Sequence, residues 1–338
     1  MALAEHYPLS TPIVVAGAGG FIGGHLVCAL EAQGFSQIRA VDCKPVAQWF
    51  QRGRRAVMVE ADLRRRKDCL AATEGAAIVF NFAADMGGMG YIEQNKLNCM
   101  LSVLINTHML EAAAASHVER FFFASSACVY RADLQAVSDA KPLREEDAYP
   151  AMPEDGYGWE KLFSERMCRH FGVETALTTR VARFHNVYGP HGSYAGGREK
   201  APAAICRKVA QAKLTGVHEI EIWGDGEQTR SFLHIDDAVE GLQTLMTSEV
   251  AEPTNLGSDR LISINALVDV VEEFAGIRCR RSFVPTAPLG VRGRNSDNTF
   301  MKASLGWSPS VSLEAGLART YRWIYDQVSQ ELRATKAE

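Results

Sequence analysis

The 338-residue chain lacks the features that mark several common classes of protein. No uninterrupted apolar run approaches the ~20 residues that a membrane-spanning helix needs, and the first twelve residues, MALAEHYPLSTP, contain no apolar signal core. A net charge of −4 provides none of the basic excess that nucleic acid or an anionic membrane attracts. We therefore expect a cytoplasmic protein with neither nucleic acid nor membrane as a partner.

Paired cysteines are also missing. The eight cysteines are scattered without a CxxC pair, which favours reduced thiols over a disulfide framework or a zinc site, and we expect no bound metal. The chain shows no internal repeat and no low-complexity tract. With 47% hydrophobic residues it can bury a large core, so we expect one large domain and a smaller one.

A glycine-rich turn follows the first predicted strand, Ile13 to Ala16. Glycine at each third position, in the pattern GxxGxxG, permits a tight turn and a close backbone approach to a pyrophosphate, which the free N–H groups of the following helix can bind. A glycine-rich loop with no ligand is the alternative when the motif is taken alone. The candidate dinucleotide contacts at this turn are Gly17, Gly20, Phe21, Ile22 and Gly23.

The strands that follow strengthen the dinucleotide interpretation. A second predicted strand, residues 37 to 41, ends at Asp42, near the ~20-residue offset at which an acidic side chain binds the ribose hydroxyls of NAD. A carboxylate there repels a 2′-phosphate, which favours NAD over NADP, although Arg39 and Lys44 are basic neighbours. Two further strands, 56 to 60 and 76 to 80, continue the pattern of a doubly wound parallel sheet, the α/β Rossmann type. Their ends supply the remaining candidate cofactor contacts, which are Lys44, Asp62, Leu63, Ala83 and Ala84.

A cluster of small reactive side chains follows the apolar run RFFFA that begins at Arg120. Ser125, Ser126 and Cys128 come where that buried strand should end, and ligands bind beyond the carboxyl ends of strands in open parallel sheets. Tyr157 and Lys161 form a YxxxK pair, whose spacing puts both side chains on one face of a helix. A serine, a tyrosine and a lysine together indicate a phenol that moves a proton while a cofactor moves a hydride.

A flexible loop, DMGGMGY, separates the fourth strand from a predicted long helix over residues 93 to 116. Glycines this dense are linkers in most proteins, but beside a cofactor they can give a sugar its backbone contacts, and Gly87 is the candidate. The apolar pattern of the helix indicates a core face. It would also serve as a homodimer surface if it continued onto the Tyr157 helix.

With these motifs in register, the chain resembles the extended short-chain dehydrogenases/reductases that modify nucleotide sugars. Within that class it closely resembles the GDP-mannose 3,5-epimerase family over nearly its whole length. GDGxQTR, which begins at Gly224, is widespread in the class. The GGMG loop, Ser-Ala-Cys at residues 126 to 128 and GGREKAP at 196 to 202 are far more specific.

The resemblance implies tightly bound NAD that is regenerated in each turnover, and it assigns the catalytic side chains. Tyr157 would take the 4-OH proton of the sugar, Lys161 would lower the pKa of that phenol and hold the nicotinamide ribose, and Ser126 would bond the 4-oxygen. Once C4 is a carbonyl, the protons on C3 and C5 become acidic. Cys128 as base and Lys200 as acid would then invert these carbons from opposite faces of the ring. A thiol of pKa ~8.5 needs nearby positive charge to act as a base.

The resemblance also implies where the substrate binds. The substrate-binding domain is expected mainly over residues 183 to 338, after an NAD-binding domain over 1 to 182 to which residues 231 to 256 return. Arg294 would clamp the diphosphate, because a guanidinium suits a bidentate contact. The candidate substrate-binding residues are Gly87, Ser125, Ser126, Cys128, Asn186, Glu199, Lys200, Ala201, Lys208, Gln228, Arg230 and Arg294.

Three alternatives to this function stay open at this point. A nucleotide-sugar 4-epimerase needs no carbon acid, and a 4,6-dehydratase of the class carries a carboxylate where this chain has Cys128. A sensor that binds NAD without catalysis would commonly have lost the tyrosine that this chain keeps as Tyr157.

Overall fold

A seven-stranded parallel sheet forms the larger part of the molecule. The computed structural model describes residues 2–337, and in that range the sheet has the order β11-β6-β5-β4-β1-β2-β3. The strands are β1 Ile13–Ala16, β2 Ile38–Asp42, β3 Val57–Glu60, β4 Ile78–Asn81, β5 Arg120–Ser126, β6 Thr178–Phe184, β7 Val187–Tyr188, β8 Glu219–Trp223, β9 Thr229–Ser231, β10 Leu233–His234, β11 Thr254–Leu256, β12 Leu261–Ser263, β13 Arg280–Val284 and β14 Gly293–Arg294.

Helices cover both faces of this sheet, as in a doubly wound fold. Those that the structure describes are α1 Phe21–Ala32, α2 Arg66–Thr73, α3 Met89–Gln94, α4 Lys96–Met100, α5 Ser102–Ala115, α6 Tyr157–Glu174, α7 Ala201–Thr215, α8 Ile235–Thr247, α9 Ile264–Ala275, α10 Thr299–Leu305 and α11 Leu313–Ala337. Helices α1 and α8 pack together on one face, and α2, α5 and α6 pack on the other. The α/β fold class predicted from the sequence is confirmed.

Strand β5 shows how the sequence generates the two layers. Side chains alternate between the faces of a strand, so Phe121 and Phe123 enter one apolar core with Met109 of α5. Phe122 enters the other core, with Leu26 of α1. A continuous apolar run is therefore required here, because helices bury both faces of the strand.

A smaller group of elements lies beside the carboxyl ends of the sheet strands. Helices α7, α9 and α11 share a separate apolar core, which includes Val209, Val268 and Leu317. Short strands border it, with β8 paired to β13 and β9 lying between β12 and β14. The predicted domain boundary at residue 183 falls inside β6, while α8 and β11 pack with the large sheet. The division into domains stays a prediction.

The prediction of one continuous helix over residues 93 to 116 is wrong. This segment is divided into α3, α4 and α5, with breaks at Asn95 and Leu101. The backbone of Asn95 leaves the helical conformation, at φ −129° and ψ 34°, while its side chain donates to the carbonyl of Tyr91. An asparagine side chain that bonds to nearby backbone competes with the helix in this way.

No helix in residues 2–337 combines the length and the apolar character needed to cross a membrane.

Candidate active site at the carboxyl edge of the sheet

The end of β5 positions the candidate base. Ser126 is the last residue of the strand, and its hydroxyl accepts a hydrogen bond from the backbone N–H of Cys128 at 3.2 Å. This bond caps a single 3-10 turn over Ala127–Val129, so the polypeptide bends sharply and Cys128 becomes buried beside the strand end. The serine therefore holds the thiol in place.

Tyr157 and Lys161 lie in the first turns of α6, on the same side of the helix. Both are buried, and the Lys161 Nζ lies 5.5 Å from the centre of the Tyr157 ring and 4.7 Å from that of Phe123. Burial, followed by the negative charge of a Cys128 thiolate, raises the pKa of Tyr157 well above its usual value, and hydrogen bonding to Ser126 lowers it. The role predicted for Lys161 in lowering that pKa stays a prediction.

Ser125 does not reach the site with its neighbour. Its hydroxyl is buried and donates to Glu165 at 2.5 Å, and Glu165 in turn pairs with Arg183 at 2.7 Å. Adjacent residues of a strand point to opposite faces, so Ser125 faces α6 while Ser126 faces the cavity. The structure therefore does not bring Ser125 to the cavity lining but makes it part of a buried polar network, and its contact with a substrate stays a prediction.

A cavity of about 370 Å³ opens between the sheet edge and the smaller group of elements. Its walls come from the GGMG loop, the β5 turn, α6, α7 and the segments around β8 and β9. Tyr157 and every predicted substrate-binding residue other than Ser125 line this cavity. Those substrate-binding residues are Gly87, Ser126, Cys128, Asn186, Glu199, Lys200, Ala201, Lys208, Gln228, Arg230 and Arg294.

Lys200 is the residue that precedes α7, at its N-cap position, and it lines this cavity. Burial lowers the pKa of Lys200, while a Cys128 thiolate raises it and Arg294 lowers it. The ammonium is therefore a stronger acid than a surface lysine. This direction suits a group that must give up a proton to carbon near neutral pH.

Arg294 lies next to the thiol, with its Nη1 3.4 Å from the Cys128 Sγ. Its Nε donates to Gln135 at 2.5 Å, and its Nη2 lies 3.9 Å from the Glu154 carboxylate. Burial and Glu154 raise the pKa of Cys128, and Arg294 lowers it. The positive charge that a basic thiol needs thus comes from an arginine predicted to clamp the diphosphate, and that second role stays a prediction.

Gln228, one of the predicted substrate-binding residues, has a side-chain oxygen that is free, within residues 2–337, to accept a hydrogen bond. The Gln228 Nε2 donates to the carbonyl of Trp223, while its Oε1 is buried without a partner among the described residues. Arg230 binds the carbonyls of Leu289 and Val291, and burial lowers its pKa to about 9. Arg230 therefore fastens the segment that precedes β14 to the cavity wall.

The other cavity residues are held by local contacts. Glu199 pairs with Arg207 at 3.2 Å, and Asn186, at φ 44°, donates to the carbonyl of Ser231. The Lys208 Nζ donates to the carbonyl of Glu221, and burial lowers the pKa of Lys208. These bonds fix the walls of the cavity, and contact between these side chains and a substrate stays a prediction.

The glycine turn has the geometry that a dinucleotide needs. Gly17 has φ 83°, and a Cβ there would lie 2.8 Å from the backbone N of Ala83. A Cβ on Gly23 would lie 2.3 Å from the carbonyl oxygen of Gly17, and no side chain caps the helix that starts at Phe21, after Gly20. The backbone of this turn lies close to the end of β4, and the first N–H groups of α1 remain available for an anion.

Asp42, at the end of β2, is oriented by the same turn. Its Oδ2 accepts from the Gly19 N–H at 2.9 Å and its Oδ1 from the Lys44 N–H at 2.8 Å. The Lys44 Nζ donates to the Gly19 carbonyl. Arg39 points away, because its guanidinium donates to the carbonyls of Ala72 and Glu74. The residues present at this strand end fit NAD.

The remaining cofactor candidates also lie at the strand ends or in the glycine turn. Asp62 makes a two-bond pair with Arg64, and Leu63 is buried behind it. The Ala83 N–H donates to Asn81, and Ala84 continues this segment. Phe21 and Ile22 are the first residues of α1. Contact between these six candidates and NAD stays a prediction.

Sequence reasoning missed two residues at this site. Trp49 packs its indole against Gly19, where a Cβ would lie 2.5 Å from the Nε1 atom, and donates to the Lys44 carbonyl at 2.8 Å. Glu154 lies beside Arg294 and Cys128. Neither residue belongs to a motif. The only local signal for Glu154 was its position three residues before Tyr157.

Comparison with known proteins identifies the family. The model of the NAD dependent epimerase/dehydratase family matches residues 13–257. A relative from Oryza sativa subsp. japonica named GDP-mannose 3,5-epimerase 1 is 45% identical over 320 residues, which cover 94% of this chain and 83% of the relative.

Two solved structures share the fold over nearly the whole chain. A UDP-glucose 4-epimerase from Thermotoga maritima, solved with UDP-glucose, has a TM-score of 0.84 at 26% identity and covers 94% of this chain and 100% of its own. MoeE5, solved with UDP-glucose and NAD, has a TM-score of 0.78 at 27% identity, with 94% and 99% covered. The chain therefore belongs to the NAD dependent epimerase/dehydratase family and, within it, to the family of the GDP-mannose 3,5-epimerases.

Proposed function

We propose that this protein converts GDP-D-mannose to GDP-L-galactose, with GDP-L-gulose as the product of inversion at C5 alone. The observation that carries the proposal is one cavity lined by a buried tyrosine, a buried thiol and a partly buried lysine, namely Tyr157, Cys128 and Lys200. The tyrosine suits proton transfer at an alcohol. The thiol and the lysine supply the base and the acid that inversion at carbon needs.

The work of the side chains follows from the acidity of the sugar. NAD, when bound, supplies the reversible oxidation at C4 that makes the protons on C3 and C5 acidic. Tyr157 takes the proton of the 4-OH group and later returns it, and Ser126 bonds the same oxygen. Cys128, paired with Arg294, removes a proton from carbon, and Lys200 delivers one to the opposite face of the ring.

The residues proposed to hold NAD lie along the carboxyl edge of the sheet. The glycine turn would hold the pyrophosphate at the start of α1, and Asp42 would bind the ribose hydroxyls of the adenosine. Lys161, close to the Tyr157 ring, would bind the nicotinamide ribose. We propose that NAD is tightly bound and regenerated in each turnover, because the hydride that leaves C4 returns to C4.

We also propose a homodimer formed through α4, α5 and α6. Large apolar side chains are exposed along these helices, among them Leu97 at 71%, Trp159 at 46% and Phe163 at 53%. Such a patch is typical of an association surface. We expect light scattering to give a dimer mass for the native protein and a monomer mass for Phe163→Glu. A monomer mass for the native protein would contradict the dimer.

A cytoplasmic location is the remaining part of the proposal. All eight cysteines lie among the described residues and are free thiols, which agrees with a reducing compartment. Fractionation of source cells followed by immunoblotting would test this location.

Proton NMR of GDP-mannose, incubated with the purified protein in D2O without added NAD, tests the activity. We expect deuterium to enter at C3 and C5 while C4 keeps its hydrogen, since the hydride does not exchange with water. A nucleotide-sugar 4-epimerase would leave C3 and C5 protonated, and a 4,6-dehydratase would release water. If nothing exchanges even after NAD is added, GDP-mannose is not the substrate.

A further inference from the structure

Inversion at two carbons imposes a requirement on Cys128 that the proposed function does not meet by itself. If one thiolate removes the proton from C5, it becomes a thiol and cannot remove the proton from C3. The thiol must therefore lose its first proton within the same turnover, and Lys200, which is partly exposed, must regain from water the proton that it gave up. This inference rests on the proposed function, because a single inversion would make no such demand within the turnover.

The structure places one carboxylate where that proton could go. The Glu154 N–H donates to the carbonyl of Cys128 at 3.0 Å, which fixes the backbones side by side. Arg294 faces both side chains, with its Nη1 3.4 Å from the Cys128 Sγ and its Nη2 3.9 Å from the Glu154 Oε2. The thiol and the carboxylate are therefore neighbours around one guanidinium.

Glu154 also connects the interior with the surface. Its Oε1 is fully buried and has no hydrogen-bond partner among the described residues, while 12% of the side chain is exposed. The next residue, Asp155, is exposed and pairs with Lys96 at 3.0 Å. A buried carboxylate oxygen without a donor is costly, and a protonated Cys128 would supply that donor. Such a bond from the thiol to the carboxylate agrees with the effect of Glu154, which raises the pKa of Cys128.

The other groups beside the thiol are less suited to accept its proton. Arg294 carries donors only. The Ser126 hydroxyl oxygen already accepts from the Cys128 N–H, and Tyr157 is engaged at the sugar 4-oxygen in the proposed reaction. Lys200 acts on the opposite face of the ring, so the bound sugar would separate it from the thiol.

We propose that Glu154 is the proton relay that resets Cys128 between the two inversions. The S–H bond breaks and an O–H bond forms on the carboxylate, so a thiol and a carboxylate become a thiolate and a carboxylic acid. The acid then passes its proton to water at its exposed edge, and Glu154 is ionised again. Arg294, with its Nη1 3.4 Å from the Sγ, stabilises the thiolate that remains.

Glu154→Gln tests the relay, because the amide keeps the shape and the backbone bond but cannot accept this proton. Rapid quenching of the NAD-loaded enzyme mixed with GDP-mannose would resolve the two products with time. We expect a burst of about one equivalent of GDP-L-gulose per active site, followed by turnover that is roughly 10²-fold slower. GDP-L-galactose should be delayed. Asp155→Asn, which neutralises the exposed neighbouring acid, is the control and should behave like the native enzyme.

The outcomes separate a relay from a merely structural role. If Glu154→Gln turns over like the native enzyme, the relay does not exist. If the first inversion slows as much as the second and no burst appears, Glu154 only positions Arg294, and the proposal is overturned. Should the glutamine variant fail to fold, Glu154→Asp replaces it. The shorter acid should raise the share of GDP-L-gulose, and an unchanged product ratio would overturn the relay. A native enzyme that leaves GDP-mannose unchanged would instead refute the proposed function.

Discussion

The cofactor half and the sugar half of this site are assembled in different ways. The cofactor half lies on consecutive strand ends of one sheet, where Gly17 and Gly23 pack against neighbouring backbone and Asp42 accepts from the N–H of Gly19. The sugar half gathers side chains from distant segments, and 166 positions separate Cys128 from Arg294. The contrast teaches that a backbone-built site is fixed by local geometry. In a site built from side chains, the pKa values of the reactive groups depend on the charges that the fold brings together.

The largest effect should come from Tyr157→Phe, which acts where the two halves meet. Without the phenol no group takes the 4-OH proton, so we expect turnover to fall by about 10³ to 10⁴. Deuterium exchange at C3 and C5 should disappear with it, because those protons are acidic only beside an oxidised C4. Tyr149→Phe, an exposed tyrosine, is the control. Undiminished exchange in Tyr157→Phe would show that the phenol is not the catalytic base.

Cys128→Ser should separate chemistry at C4 from chemistry at C3 and C5. A serine hydroxyl is a much weaker acid than a thiol, so we expect exchange at both carbons to fall by about 10² to 10³. A 4-keto sugar with unchanged C3 and C5 should accumulate, detected by mass spectrometry after reduction with borodeuteride. Cys99→Ser removes another buried thiol from the same small apolar cluster and should leave exchange unchanged. Equal losses in both variants would indicate a packing effect.

Gly17→Ala tests the backbone-built half. The new methyl group would approach the backbone N of Ala83 to 2.8 Å and would sit at φ 83°. Strain of this kind costs roughly 1 to 3 kcal/mol, and we expect copurified NAD to fall about tenfold, measured in the denatured protein by absorbance. Gly75→Ala has φ 67° but open space around its Cβ, so it should lose stability while keeping NAD. Full NAD content in Gly17→Ala would contradict the close approach.

Arg294→Lys should give the smallest effect, and it tests how Arg294 sets the pKa of Cys128 in the sugar half of the site. Burial and Glu154 raise the pKa of Cys128 and the charge of Arg294 lowers it. The ammonium of the shorter lysine lies farther from the Sγ and lowers the pKa less, so that pKa moves upward. The thiolate then forms only at higher pH. We expect the alkaline-rising limb of the exchange rate to move by about one pH unit, which is roughly tenfold in rate at a fixed pH below it. Arg292→Lys, at an arginine that pairs with exposed Asp225, should leave the limb in place.

The sequence by itself determined the architecture and the cofactor edge. Strand β1 begins and ends at the predicted residues, Ile13 and Ala16, because a continuous apolar run between loops has few alternatives to a buried strand. The glycine turn and Asp42 could be predicted for the same reason, since their spacing is local. The resemblance also assigned substrate-binding residues, and all of them except Ser125 line the cavity.

Only the tertiary structure decided which charges face the thiol. Sequence patterns carry periodicity within one element, but they do not carry distances between elements that are far apart in the chain. Arg294 therefore looked like a clamp for the diphosphate until β14 placed it beside Cys128. Ser125 looked like its neighbour until strand alternation turned it towards Glu165. Glu154 carried no chemical signal at all, because its importance comes from the low-dielectric contact that folding creates.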